Sequence, residues 1–202
     1  MRKLTILLLT LALAGNIQAQ DADTKYSVSA GFGVPNIPRA FFNSLGNEKG
    51  FTSTGKGPYH FKFEYQPLWY LGIGLNINNV SYKVNYYQDV VDTVNGKAFP
   101  NKVTIDGKNT AVNVRLNFHF LNPENNDKHD FYFGLGMGYR FGKLKVSSEY
   151  EQYKPSVKLP NVFKLGFETT VGYRYFVTKN IGFYSELGFA KSILQFGVTA
   201  AF

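Results

Sequence analysis

The stretch Tyr59 to Gln66, YHFKFEYQ, puts Tyr59, Phe61, Phe63 and Tyr65 on one face and His60, Lys62, Glu64 and Gln66 on the other. Strict alternation with period two marks a β-strand with two unlike faces, since a helix would repeat every three to four residues. The same grammar recurs along the chain. Before it, Tyr26, Val28, Ala30, Phe32 and Val34 alternate with serine and glycine; after Pro67, Trp69, Leu71, Ile73, Leu75 and Ile77 oppose Gly72, Gly74 and Asn76. Val112–Phe120, Phe131–Phe141, Phe163–Tyr175, Ile181–Phe189 and Leu194–Phe202 follow the same rule, so the pattern predicts eight strands. In the third strand the apolar phase slips near Asn78-Asn79 and passes to Val80, Tyr82 and Val84, which predicts a β-bulge there. Asp89–Val94 and Lys102–Asp106 are shorter than the about 9–11 residues a spanning strand needs, and they carry Asp89, Asp92 and Asp106. They read as a hairpin that extends strands three and four, with its turn at Asn95-Gly96.

The connections alternate too. Residues 35–57, 86–109 and 143–161 are long, polar and turn-rich, whereas Pro67-Leu68, Leu121–His129 and Val177–Asn180 are shorter; the link at Lys191-Ser192 is short although it falls on the long-loop end. An even number of strands with unequal ends is the pattern of a transmembrane β-barrel. A soluble, lipocalin-like barrel shares the period, so the content of the faces decides. The polar face is mostly Gly, Asn and Ser rather than the Lys and Glu that keep a soluble exterior in solution. Small residues between long ones suit a narrow, eight-stranded lumen with room only for side chains. Tyr65, Trp69, Tyr173 and Tyr175 stand on the apolar face beside the short turns, the place of an interfacial aromatic girdle. The fold class expected is therefore all-β: an eight-stranded antiparallel up-and-down transmembrane barrel with a polar, plugged interior.

Both ends of the chain fit an exported barrel. Arg2 and Lys3, an apolar run from Leu4 to Ala14, and a small residue at Ala19 read as a signal peptide over residues 1–19, with a barrel domain over 20–202. Its apolar run is too short to span as a helix. The chain stops on Phe202, at the end of an alternating run, where a closed barrel would zip its last strand to its first. Gln195, Gly197, Ala200 and Phe202 resemble the C-terminal signal read by the barrel insertion machinery, Ala200 being the weakest match. The whole of residues 20–202 resembles the small OmpA/OmpX-type barrels and, in its Gly/Tyr/Phe-rich strands, the "outer membrane protein beta-barrel domain" family that includes PorT-like proteins. That resemblance implies a location in the cell outer membrane and contact with its lipid.

Composition narrows the chemistry. There are no cysteines, so disulfides and thiolate metal sites are excluded. The net charge of +8, or +6 without the leader, points in an exported protein to acidic surface partners and not to nucleic acid. GFTSTGKG, Gly50 to Gly57, begins like a phosphate-binding loop, but Gly57 and Pro58 stand where a Ser or Thr and a helix are needed. The glycines of GLGMG, Gly134 to Gly138, share one strand face and make space rather than a dinucleotide turn. His60, His119 and His129 lie on separate elements with no nucleophile beside them, and both His60 and His119 are followed by Phe, unlike the His-Ser motif of barrel deacylases. No cofactor, metal or enzymatic activity is expected, with a lipid-modifying enzyme kept as a lesser reading.

Inward charges are more telling: Lys62, Glu64, Arg115, Arg140, Lys164, Glu168, Arg174 and Glu186 share the polar phase. Charges inside a barrel are tolerated when paired, so Glu64, Arg115, Arg174 and Glu186 are expected to form a plug, with Glu64 and Arg115 meeting over Gly72 and Gly74. Partner contacts are expected on the loops, at Tyr150 and Tyr153 in one and Phe41 and Phe42 in another. The three long loops carry 10 basic against 6 acidic side chains, a rim that suits the phosphates of lipopolysaccharide or an ordinary solvated surface. Two roles stay open: a surface-interaction scaffold without a pore, and, as the PorT-like resemblance implies, an accessory subunit of an export or motility apparatus with an envelope protein partner.

Overall fold

The computed structural model describes residues 25–45, 50–91, 96–123, 125–155, 164–189 and 191–202. The proposed leader, residues 1–19, and the side chains of Phe41 and Phe42 lie outside that description. The strands are β1 (Lys25–Val34), β2 (Thr52–Leu68), β3 (Leu71–Val91), β4 (Ala98–His119), β5 (His129–Ser148), β6 (Leu165–Phe176), β7 (Ile181–Phe189) and β8 (Leu194–Ala201), with a helix α1 (Ile37–Leu45) between β1 and β2. Each strand pairs antiparallel with the next, and β8 returns to β1 from Ser27↔Ala201 to Val34↔Leu194, closing the barrel. Phe202 and Tyr26 exchange backbone hydrogen bonds of 2.7 and 2.9 Å beyond the last β1–β8 pair. The ring of Tyr26 stacks on both Phe202 and Tyr65, at 6.1 and 5.1 Å.

Faces follow the alternation. In the lower barrel Ile73, Leu75, Ile77, Val112, Val114, Leu116, Phe118, Leu135, Met137 and Tyr139 point outward and are exposed, while Asn76, Asn113, Arg115, Asn117, Glu168 and Glu186 are buried within. The first short turn falls at Trp69-Tyr70 and not at Pro67-Leu68, which is strand. Of the expected girdle, Trp69 is exposed in that turn, Tyr175 is exposed beside the short turns, and Tyr65 and Tyr173 are half-buried there. Tyr173 packs on Phe131 at 4.5 Å and is hydrogen-bonded to His129 Nδ1 at 2.7 Å. Tyr70, against Trp69 at 5.4 Å, belongs to the same band.

At the long-loop end the barrel turns inside out. The register of β3 on β4 runs unbroken from Leu71↔Phe118 to Val91↔Ala98, including Asn78↔Ala111 and Asn79↔Thr110. No bulge therefore lies at Asn78-Asn79; the irregularity is on the neighbouring strand, between Lys56 and Tyr59, where Gly57 takes φ 79. What changes is the solvent. Below the row Asn79, Thr110, Phe141 the outward residues are apolar; above it Lys83, Lys102, Asp106, Lys108, Lys143 and Lys145 are outside and exposed. Val84, Val103 and Ile105 now face inward, buried and packed by Phe51, Tyr82, Tyr86, Leu144 and Val146. Burying each such side chain is worth about 1.5–3 kcal/mol. The upper part is thus built like a soluble protein and the lower part like a membrane protein, on the same strands.

The expected hairpin is present as the top of β3 and β4, with residues 92–95 outside the description and Gly96 at φ 63. It is not alone. β2 and β5 rise beside it, so residues 52–57 and 143–148, expected as loops, are strand. β2 outruns β1, and α1 packs against β2 and β3 on that side, as an uncovered sheet edge requires. Asn36 caps the helix, its Oδ1 accepting the Arg39 N–H at 3.1 Å while its amide holds Ser81 O at 3.1 Å. Pro38 sits in the first turn, where a missing N–H costs nothing.

Candidate functional site

The lumen is filled by one connected set of charges, and its geometry starts from glycine. A Cβ on Gly72 would collide with the Glu64 carboxylate, one on Gly134 with the Arg115 guanidinium, and one on Gly136 with Glu168. Those glycines let long side chains lie flat across a narrow interior. In the half nearer the short turns, Glu64 pairs with Arg174, which also reaches Asp130 at 3.2 Å. His119 stands between the two carboxylates, Nε2 to Glu64 at 2.7 Å and Nδ1 to Asp130 at 2.7 Å. Both ring nitrogens therefore face carboxylate oxygens.

In the half above, Arg115 holds Glu186 at 2.9 Å and Glu168 at 3.5 Å, and donates to Thr170 at 2.7 Å. Glu186 also pairs with Lys62 at 2.7 Å and accepts the Tyr132 hydroxyl at 2.6 Å. Glu168 accepts the amides of Asn76 and Asn113 at 2.6 and 3.0 Å. Asn117 joins the halves, donating to Glu64 at 2.6 Å and accepting from Arg115 Nε at 2.6 Å. The Tyr132 ring lies under Arg174 at 4.5 Å and Arg115 at 5.7 Å, a double cation–π contact. Glu64, Asp130, Glu168 and Glu186 thus each have an Arg or Lys nitrogen within 3.5 Å, so no carboxylate of the plug is left without a cation.

The expected residues are brought together, with one change of partner. Glu64 does not meet Arg115; Arg174 and His119 take Glu64, and Arg115 takes Glu186 and Glu168. The stagger of a closed barrel carries a side chain past its flat-sheet neighbour, so strand order alone does not give the pairs. Sequence reasoning missed His119, Asp130, Tyr132 and Lys62 as members. All four lie on the polar phase, and Tyr132 shares that phase with Gly134 and Gly136, which is the signal that marks it. Lys164, expected inside, stands exposed just before β6.

Below the plug, a vestibule of about 400 Å³ opens between the short turns, with Glu64, Asp130 and Arg174 among its lining residues. At the other mouth the β7–β8 turn folds inward. Lys191 reaches across to β3 and β4, donating to Asn109 O at 3.0 Å and Asn109 Oδ1 at 2.8 Å. Burial, with the Arg140 guanidinium adding to it, pushes the Lys191 ammonium down to about 7. An unfolded lysine keeps its proton to about pH 10.4. Between about 7 and 10.4 the unfolded chain therefore binds more protons, and stability rises with pH across that window. Urea midpoints of the lipid-embedded protein at about pH 7 and about pH 9.5 are expected to show this rise, and Lys191→Met to flatten it. An unchanged slope in the variant assigns the rise to another group.

Ser192 Oγ lies 3.5 Å from His60 Nε2. Among the described residues nothing holds His60 Nδ1, so the orienting acid of a hydrolytic triad is lacking, and both residues are buried. Of the loop residues, Tyr150 and Tyr153 pack on Phe99 at 5.0 and 5.7 Å, forming an aromatic tip to β4 and β5. Gln195 of the expected insertion signal faces inward and is buried, Gly197 lies where a Cβ would strike Ala30 O, and Ala200 pairs with Val28.

A closed antiparallel barrel, apolar outside and charged within, is a membrane-spanning β-barrel, and its fold is that of the small eight-stranded outer-membrane barrels. Among similar solved structures, the first bears this out at the level of fold. The outer membrane protein OprG from Pseudomonas aeruginosa aligns with a TM-score of 0.53 at 14% identity, over 93% of this chain and 99% of that one. The N-terminal β-barrel domain of Pseudomonas aeruginosa OprF gives 0.44 at 12%, over 91% and 100%. Ail, the attachment invasion locus protein of Yersinia pestis, gives 0.42 at 12%, over 89% and 99%. No family model matches the sequence, and no curated protein matches it.

Proposed function

We propose that the chain is an outer-membrane scaffold without a pore, which spans the bilayer with its lower barrel and presents the upper sheet of β2–β5 to partners at the cell surface. The observation that carries this reading is the ion-paired plug: Glu64, Arg115, Glu168, Arg174 and Glu186 are all buried and linked wall to wall. A permeating ion would have to break several charge-assisted hydrogen bonds at once. The upper sheet adds the second half, since it places the aromatic tip of Phe99, Tyr150 and Tyr153 away from the barrel mouth. Gln195, Gly197, Ala200 and Phe202 serve in this reading as the signal for the insertion machinery.

The reading is tested twice. Purified protein in planar bilayers is expected to give no steady single-channel conductance, and a reproducible open level would overturn the plug. Photocrosslinking in cells from Tyr150 and Tyr153 is expected to yield surface ligands or neighbours in varied amounts. A single stoichiometric envelope protein would instead make the chain a subunit of an apparatus.

A further inference from the structure

We infer that the outer wall of β4 and β5, at Lys108, Lys143 and Lys145, is a docking site for the phosphate groups of a phosphorylated outer-leaflet glycolipid. This deepens the scaffold reading and rests on its orientation, with the long-loop end outside the cell. Lys108 and Lys143 are direct cross-strand partners, and both are exposed. Like charges placed opposite one another on a sheet face repel. The next pair up is Asp106↔Lys145, and Asp106 is also opposite Lys83 on β3, so one carboxylate stands among four ammonium groups. Among the described residues no ion pair joins Lys108, Lys143 or Lys145 to any acid. The three lysines line one shallow depression with Asp106, Gly142 and Leu144.

Their height names the occupant. Lys143 stands two residues above the exposed Phe141, and Lys108, its cross-strand partner, four above Val112 with Thr110 between, while Lys145 stands two residues higher. Two residues of a tilted strand rise about 5 Å. That puts ammonium groups level with lipid headgroups, directly above the part of the wall that meets acyl chains. A lipid whose tails lie on Val112, Tyr139 and Phe141 brings its phosphate to Lys108 and Lys143 without leaving the bilayer. A soluble phosphate has no such second anchor. Lysine suits this task, since a point charge on a flexible stem follows a mobile headgroup.

The test uses the full barrel in phosphatidylcholine nanodiscs doped with bis-phosphorylated or dephosphorylated lipid A, with retained lipid counted by native mass spectrometry. The wild type is expected to keep the bis-phosphorylated form about tenfold over the other, as basic groups at an anionic surface do. Lys108→Gln/Lys143→Gln is expected to lose that preference, and Lys56→Gln/Lys97→Gln to keep it. Millimolar inorganic phosphate is expected to leave retention unchanged; displacement by it would assign the site to free anions and overturn the lipid. A second variant guards against folding effects. In plain phosphatidylcholine Lys143→Glu is expected to raise the unfolding midpoint by turning a repulsive pair into an attractive one. In lipid A discs the same change is expected to lower lipid retention. No preference in the wild type, or an equal one in Lys108→Gln/Lys143→Gln, overturns the inference. Conductance and crosslinking from the aromatic tip would be untouched by that failure.

Discussion

Arg115→Ala is expected to destabilise the lipid-embedded barrel by about 3–5 kcal/mol, the cost of leaving buried charges without their partner. Arg115 is 2% exposed and binds Glu186 through two nitrogens, at 2.9 and 3.0 Å. It also holds Asn117 at 2.6 Å and Thr170 at 2.7 Å. Removing it leaves Glu186 to Lys62 and Tyr132 alone and takes from Glu168 the guanidinium it pairs with. Arg115→Lys is the informative companion. It restores the charge but not the fork that reaches Glu186, Asn117 and Thr170 together, so it is expected to recover part of the loss. Equilibrium urea unfolding in lipid vesicles measures both. A near-zero effect of Arg115→Ala would mean that water, not the network, fills the lumen.

Leu116→Arg carries the second large effect, about 2–4 kcal/mol if the outer face meets lipid at mid-depth. Leu116 is the middle of the outward run from Val112 to Phe120, flanked by Ile73 and Leu135 on the neighbouring strands. It is 40% exposed, and its flanking side chains, Ile73 and Leu135, offer nothing to pair a guanidinium. Asn117→Arg, one residue on, points to the opposite side and is governed by crowding against Glu64 and Arg115. The two should respond differently to the membrane. Thinner bilayers bring the interface closer to residue 116 and relieve Leu116→Arg, while Asn117→Arg stays unchanged. Identical, negligible costs for both would reverse the assignment of faces.

Most of the barrel was legible because it depends on period and on the contents of a face. Phe61 and Lys62, or Phe118 and Asn117, announce opposite sides wherever they occur. The upper sheet was not legible for a physical reason. Alternation tells which residues share a face but not which solvent that face meets. At the membrane boundary the solvent outside changes from lipid to water, so Val80 and Val84 take the inward places that Asn76 and Asn78 hold below. Read along one strand, an exchange of solvent looks like a slip of register. The nine-residue α1 is amphipathic at helical period, but it lies in a stretch read as turn-rich between two strands, and so passed for a loop. The plug was half legible: its charges could be named from their phase, but their pairing depends on barrel stagger. His119 and Asp130 join it only because Arg174 and Glu64 come together beside them.

The unbroken ladder of β3 on β4 sets how far this molecule reaches. From Asn79 to Val91 there are twelve residues beyond the row where the faces exchange. At about 3.3 Å each they measure about 40 Å along the strand, or about 30 Å in height at the usual tilt. No linker or hinge interrupts that length. A pull at its tip is borne by backbone hydrogen bonds loaded along the whole mast and passed straight into the barrel wall. The barrel is then a footing, and the bilayer resists the load through every residue of its apolar band.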